Sequence, residues 1–226
     1  MKIKSILFVL FCISINAYSQ KNTALFNGEN FEGWYAFEAK SGVHQDPSNL
    51  FKIEDQMLRF QGKKLAYLMT QNSYENFELH LDFRWNTDST FVRRSQKKNS
   101  GVMYLIPSET EDKLWPKGIQ FQVKEGNTGD FILIDGYTLE VSRQKVAGKN
   151  LITPRLKDAA NPVGEWNHIS ITSRKGEIIQ KLNGQIVNQG KAPLVTKGKI
   201  LLQYEGYPID FKNIEIIIFE DKLNEK

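Results

Sequence analysis

Gln120, Gln122 and Lys124 occupy alternate positions of GIQFQVK, with Ile119, Phe121 and Val123 between them. That alternation marks a strand with one face in a core, so two amides and an ammonium share the other face. They form a row of donors and acceptors suited to sugar hydroxyls. A second row, Glu78, His80, Asp82 and Arg84, lines the polar face of FELHLDFRW, the cleanest strand pattern in the chain. Histidine changes charge near neutrality, which makes His80 a candidate acid–base group with Asp82 beside it. A third row, Gln203 and Glu205, shares the polar face of LLQYEGYP with Tyr207 just beyond, so a carboxylate and a ring meet at a strand rim. Trp34, Trp115 and Tyr104 are candidate stacking platforms, whereas Trp85 and Trp166 continue apolar faces and read as core. Each row has an ordinary reading as a solvated sheet face, and a lone histidine is more often structural than catalytic.

Several chemistries lack their residues. No Cys or His spacing suggests zinc, no glycine-rich loop opens a helix, and no Gly-x-Ser-x-Gly elbow occurs. Glycoside hydrolysis by paired carboxylates needs about 5–5.5 Å between them for retention and about 6.5–9.5 Å for inversion. Glu78 and Asp82 share a face but lie four residues apart, roughly 13 Å at about 3.3 Å per residue. That pair is too wide.

The elements that must position these residues are all strands. Apolar and polar residues alternate over Phe51–Phe60, Phe77–Trp85, Gly101–Ile106, Ile119–Lys124, Trp166–Ser173 and Ile200–Tyr204, with a further run at Phe211–Phe219. Turns are expected at Glu54-Asp55-Gln56 and at Asn183-Gly184, where both residues tolerate positive φ. Val141 to Gly164 shows no sustained period and reads as a long excursion. About a dozen short strands without an amphipathic helix point to an all-β, two-sheet antiparallel sandwich.

Met1 to Ser19 has the form of a secretory signal peptide, with Lys2 and Lys4, an apolar run over Ile6–Ile13, and Ala17-Tyr18-Ser19 as the cleavage site. The run is too short to span a membrane. The single cysteine, Cys12, falls inside it, so residues 20–226 are expected to form one exported domain without a disulfide, periplasmic or extracellular. The formal charge is +4, two units of it on Lys2 and Lys4, and basic residues are scattered among acidic ones. A nucleic-acid or membrane-surface role gains little from this distribution.

Seven stretches then fall in one family's order: LFNGENFEGW, YLMTQNSYENFELHLDFRW, NSGVMYLIP, GIQFQVKEGNTGDF, GEWNHISI, KLNGQIVNQG and LLQYEGYPIDFKNIEI. Together they resemble the 3-keto-disaccharide hydrolase family, similar in fold to concanavalin A-like lectins and glucanases. The resemblance implies a jelly-roll sandwich with its site on a concave face. It also implies chemistry on a glucoside oxidised at C3, whose ketone acidifies the C2 hydrogen. A base removes that hydrogen, the C1 substituent leaves by β-elimination, and water completes net hydrolysis. The family's Glu-x-Gln falls on Gln120-Phe121-Gln122 and its Asn-Ser-Gly on Asn99-Ser100-Gly101. Gln120 stands where the family commonly has glutamate, and Leu105 where it often has arginine. On this resemblance Glu205 is the first candidate base, followed by His80 and Asp82. Gln120, Gln122, Lys124, Asn99, Arg84, Tyr104, Trp115, Gln203 and Tyr207 are the candidates for holding the sugar. No metal ligand set is evident, although a divalent cation could serve as enolate stabiliser. The alternative is a non-catalytic carbohydrate-binding sandwich.

Overall fold

The computed structural model describes residues 20–142, 144–192 and 196–220. The expected signal peptide and Cys12 lie outside the described residues. Two antiparallel sheets face each other. In the ten-stranded sheet the order is Gln144–Ala147, Thr138–Val141, Gln185–Lys191, Glu177–Leu182, Asn167–Arg174, Phe77–Trp85, Ile209–Phe219, Met57–Phe60 and Phe51–Glu54, with Gln20–Ala24 pairing along Ile209–Phe219. In the nine-stranded sheet it is Asn150–Thr153, Phe131–Ile134, Gly118–Lys124, Asn99–Ile106, Lys197–Tyr204, Ala66–Thr70, Trp34–Glu38 and Gly42–His44, with Tyr74–Glu75 also pairing with Lys197–Tyr204. The one helical element among the described residues is a 3-10 turn at Pro47–Asn49.

Period-two patterning decides which side chains meet between the sheets. Phe77, Leu79, Leu81, Phe83 and Trp85 are buried from one sheet. Val102, Ile119, Phe121, Val123, Leu133, Ile200 and Leu202 are buried from the other, in the same cluster. Burying such side chains is worth about 1.5–3 kcal/mol each, and this is the main term holding a chain whose described residues include no cysteine. Phe51 and Phe60 stack with centroids 3.9 Å apart, and Phe60 meets Phe211 edge-on at 5.3 Å. The two expected turns form as the residue types require. Asp55 and Gln56 take φ of 52° and 59°, and Asn183 and Gly184 take 50° and 76°.

Four expectations are corrected by this packing. Tyr104 is a core residue and no stacking platform: it is fully buried, and its hydroxyl accepts from Gln180 Nε2 at 3.0 Å across the sandwich. Trp34 is likewise core, its indole donating to the Leu25 carbonyl at 2.6 Å. Trp166, by contrast, sits outside, with Arg84 and Lys212 over its ring at 4.7 and 4.0 Å. The Val141–Gly164 excursion contains two strands, Gln144–Ala147 and Asn150–Thr153. Each sends one main apolar residue to the core, Val146 and Leu151, which is too few to build a readable period.

On the outer face of the ten-stranded sheet, Asp210 is fully buried. It accepts from Arg59 Nε at 3.1 Å, Arg84 Nε at 3.1 Å and Asn86 Nδ2 at 2.9 Å. Removing one partner of a buried ion pair strands the other charge, at a cost of about 3–5 kcal/mol. Asp210→Ala is therefore expected to lower unfolding stability by about that amount, read as a fall in the urea midpoint at unchanged slope; a fall under about 1 kcal/mol would remove this cluster from the stabilising set.

Candidate functional site

Strand register on the nine-stranded sheet converts the sequence rows into a surface. Gln122 pairs with Gly101, Lys124 with Asn99, and Gln120 with Met103 on one side and Ile132 on the other. Across the next strand, Leu201 pairs with Met103, so Gln203 lies alongside Gly101 and Glu205 alongside Asn99. The outer face thus carries one line running Tyr67, Gln203, Gly101, Gln122. Beside it a shorter line runs Glu205, Asn99, Lys124.

The three glutamines are linked. Gln203 Nε2 donates to Gln120 Oε1 at 3.0 Å, and Gln120 Nε2 donates to Gln122 Oε1 at 2.7 Å. Such a chain polarises each amide in turn and leaves the Gln122 amide hydrogens as its donor end. Gly101 makes room for it. A Cβ there would stand 2.5 Å from Gln203 Oε1 and 2.6 Å from Gln120 Nε2, so the glutamines occupy the space that a side chain would fill. A glycine inside a strand signals such an approach.

At the rim, Asn99 Nδ2 donates to Glu205 Oε2. Burial pushes the Glu205 carboxyl above its ordinary range, outweighing the Asn99 hydrogen bond and the Lys124 charge, both of which pull it down. A carboxylate poised in this way is suited to taking a proton. Asn99 Oδ1 and Gln203 Oε1 are buried acceptors with no protein partner among the described residues.

Beyond Gln122 and Lys124 the face opens into a cavity of about 380 Å³, also lined by Asn127, Asp130, Ile132, Ile152, Pro154, Arg155, Lys157 and Asp158. Within it Asp130 accepts the Arg155 backbone N–H at 2.8 Å. The opposite side is closed. Tyr35 and Tyr67 each donate to Asp112 Oδ1 at 2.8 Å, and burial first, with that contact second, pushes both phenols far above their ordinary range. Trp115 packs on this covered part with Met69, Met103 and Leu201. Asp112, Asp130 and Arg155 carried no signal in the sequence, because their pairing depends on loops that return across the sheet.

Three candidates do not join this site. His80, Asp82 and Arg84 lie on the outer face of the other sheet, since Phe77–Trp85 pairs with Asn167–Arg174 and Ile209–Phe219. There Asp82 Oδ1 contacts His168 Nδ1 at 2.7 Å, His168 Nε2 contacts His80 Nδ1 at 3.2 Å, and Asn213 donates to Asp82. The cluster serves its own sheet. Tyr207 is also corrected: it is buried against Trp85, with Arg93 and Lys98 over its ring. Leu105, at the position of the expected arginine, points into the core from a residue with φ of 52° and does not reach the site. A divalent cation fits poorly here, because Gln120 brings an amide in place of a carboxylate. Among the described residues no group of three His, Cys, Asp or Glu could hold one.

Residues 21–217 match the family model for the 3-keto-alpha-glucoside-1,2-lyase-like domain. A relative from Bacteroides thetaiotaomicron, named 3-keto-disaccharide hydrolase, is 26% identical over 180 residues, covering 72% of this chain and 56% of the relative. The chain therefore spans little more than half of that protein's length. Among solved structures, a Parabacteroides distasonis protein with a provisional glycosyl hydrolase assignment superposes with a TM-score of 0.60 at 22% identity, covering 88% of this chain and 94% of that one. The Bacillus licheniformis β-glucanase superposes with a TM-score of 0.52 at 12% identity, covering 89% and 98%. At these identities the structural likenesses establish the jelly-roll fold alone.

The glycine beneath the glutamines gives a direct test. Gly101→Ala is expected to displace Gln203 and Gln120 and to cost about 1–3 kcal/mol of stability by overpacking. The variant should stay folded by circular dichroism while losing at least tenfold in sugar affinity by calorimetry. Unchanged affinity would show that the relay takes no part in binding.

Proposed function

The chain belongs to the 3-keto-alpha-glucoside-1,2-lyase-like domain family, and from that membership we propose that it is an exported carbohydrate-active enzyme cleaving 3-keto-glucosides. The observation that carries the proposal is the Glu205 carboxyl, raised by burial and set beside two acceptors without protein partners. Export is read from the leader sequence.

In this reading the substrate's C3 ketone makes the C2 hydrogen acidic, and ionised Glu205 takes that proton. The electron pair moves into an enolate whose oxygen is held by the Gln122 amide at the end of its relay and by the Lys124 ammonium. The enolate then reforms the ketone as the C1–O bond breaks, leaving a C1=C2 double bond in the sugar. Water adding its hydroxyl at C1, with the proton on Glu205 returning to C2, completes net hydrolysis and restores the ionised base. One base and one oxyanion site suffice, so no second carboxylate at glycosidase spacing is required. Asn99 holds Glu205 in place.

A binding module without turnover is the second reading, favoured by Gln120, which supplies an amide where a carboxylate would add a second base. Incubation with a 3-keto-glucoside and with its unoxidised parent separates the two. Cleavage of the keto sugar alone is expected; binding of either without cleavage would make the chain a lectin-like module.

The pH dependence follows from the direction of the Glu205 shift. The base acts ionised, so kcat/KM should rise with pH through a midpoint above the ordinary carboxylate range. Glu205→Gln should lower kcat by at least 10³-fold, about 4 kcal/mol. It should not weaken the fold. A raised folded-state value means that wild-type stability falls as pH rises from the unfolded value through the folded one, and the variant loses that penalty. Its urea midpoint at neutral pH should equal or exceed the wild type's, and a fully active variant would remove Glu205 from the mechanism.

A further inference from the structure

We propose that the cavity beside Gln122 is an aglycone pocket selecting aryl glucosides, whose phenolate leaves without a carboxylic acid to protonate it. This rests on the reading of the chain as a 3-keto-glucoside lyase and names the substrate class of that site.

Position comes first. Adjacent strands lie about 4.7–4.9 Å apart, so the strand bearing Gln122 and Lys124 is two steps, about 10 Å, from that of Glu205. A pyranose lying between Glu205 and Lys124 directs its C1 substituent one of two ways along the sheet. Towards Tyr67 the way is shut by the Tyr35–Asp112–Tyr67 tie. Towards Ile132 it opens into the 380 Å³ cavity.

The pocket's chemistry then narrows the occupant. Ile132 and Ile152 are directly paired across neighbouring strands and, with Pro154, form an aliphatic step. Ile152 keeps 57% of its surface exposed, an apolar area that a flat ring would cover. The carboxylates in the cavity are occupied as acceptors. Arg155 bonds Asp130 through its backbone N–H at 2.8 Å and Asp158 through Nη2 at 3.1 Å. Neither carboxylate is placed as a proton donor for the leaving oxygen.

That arrangement matters for the second half of the elimination. When C1–O breaks, its electron pair leaves on the aglycone oxygen, while the C2 proton stays on Glu205. A sugar or alkyl aglycone would depart as a strongly basic alkoxide and must draw a proton from the Lys124 or Lys157 ammonium as it leaves, a transfer that a phenolate does not need. A phenol of pKa near 10 can depart as its anion, and the Lys124 and Lys157 ammonium groups at the cavity stand to receive it. The phenolate is protonated afterwards by solvent.

The test compares a 4-nitrophenyl 3-keto-glucoside with a 3-keto-disaccharide of the same anomeric configuration. The aryl substrate is expected to have at least tenfold higher kcat/KM. Ile152→Asn, at a half-exposed position, should raise KM for the aryl substrate at least fivefold and shrink the preference. Across substituted phenols the elimination rate should fall as phenol pKa rises. Equal or better use of the disaccharide, an unchanged aryl KM in the variant, or a flat dependence on phenol pKa would each overturn this inference while leaving the lyase reading intact. Cleavage of neither substrate would overturn both.

Discussion

A missing methyl group sets the geometry of the outer face. At Gly101 the strand presents bare backbone between Gln122 and Gln203, and the side chains of Gln203 and Gln120 settle into that space. Buried amides are costly unless paired, and here each satisfies the next, so the relay can lie flat against the sheet. Any larger residue would lift it. The sheet itself depends on the same strand that bears the relay. Ile119, Phe121 and Val123 anchor Gly118–Lys124 in the core, which fixes its register and so places both glutamines and Lys124 outward.

The two outer faces show why similar residue types have different chemical prospects. On the ten-stranded sheet, Asp82, His168 and His80 satisfy one another, and Asp210 is enclosed by two arginines and Asn86. Among the described residues, these groups find their partners in one another. On the nine-stranded sheet, Glu205 is half-buried with Asn99 as its one side-chain donor among the described residues, where the oxygens of Asn99 and Gln203 also lack protein partners. Partial burial with incomplete pairing raises the Glu205 carboxyl. That imbalance, more than the residue types, separates the candidate site from the structural clusters.

Strand identity and facing were legible in the sequence because period two survives wherever one face is buried. FELHLDFRW and GIQFQVK read correctly for that reason, as did the Asn183-Gly184 turn. Which sheet each polar row belongs to was not legible. His80 and Gln122 sit on equally clean alternations, and only the pairing order separates them by the full thickness of the core. Tyr104 was misplaced for a related reason: a register shift in the pairing of Lys197–Tyr204 with Asn99–Ile106 disturbs the alternation near the strand's end. Residues that arrive on loops, such as Asp112 and Arg155, left no periodic trace.

The closed and open halves of the nine-stranded sheet have a common cause. Apolar residues continue along the outer face, from Tyr35, Met69 and Leu201 to Ile132 and Ile134, and such a surface must be covered. On one side the segment bearing Asp112 and Trp115 does this, locked by two tyrosine hydroxyls whose raised phenols stay protonated and keep donating. On the other, Ile152 remains uncovered beside Lys157 and Arg155. The glutamine relay runs between the two halves and ends at Gln122, on the boundary of the open one. A ligand anchored at Glu205 therefore has one direction in which to extend, and the surface it meets there is aliphatic below and cationic at the rim.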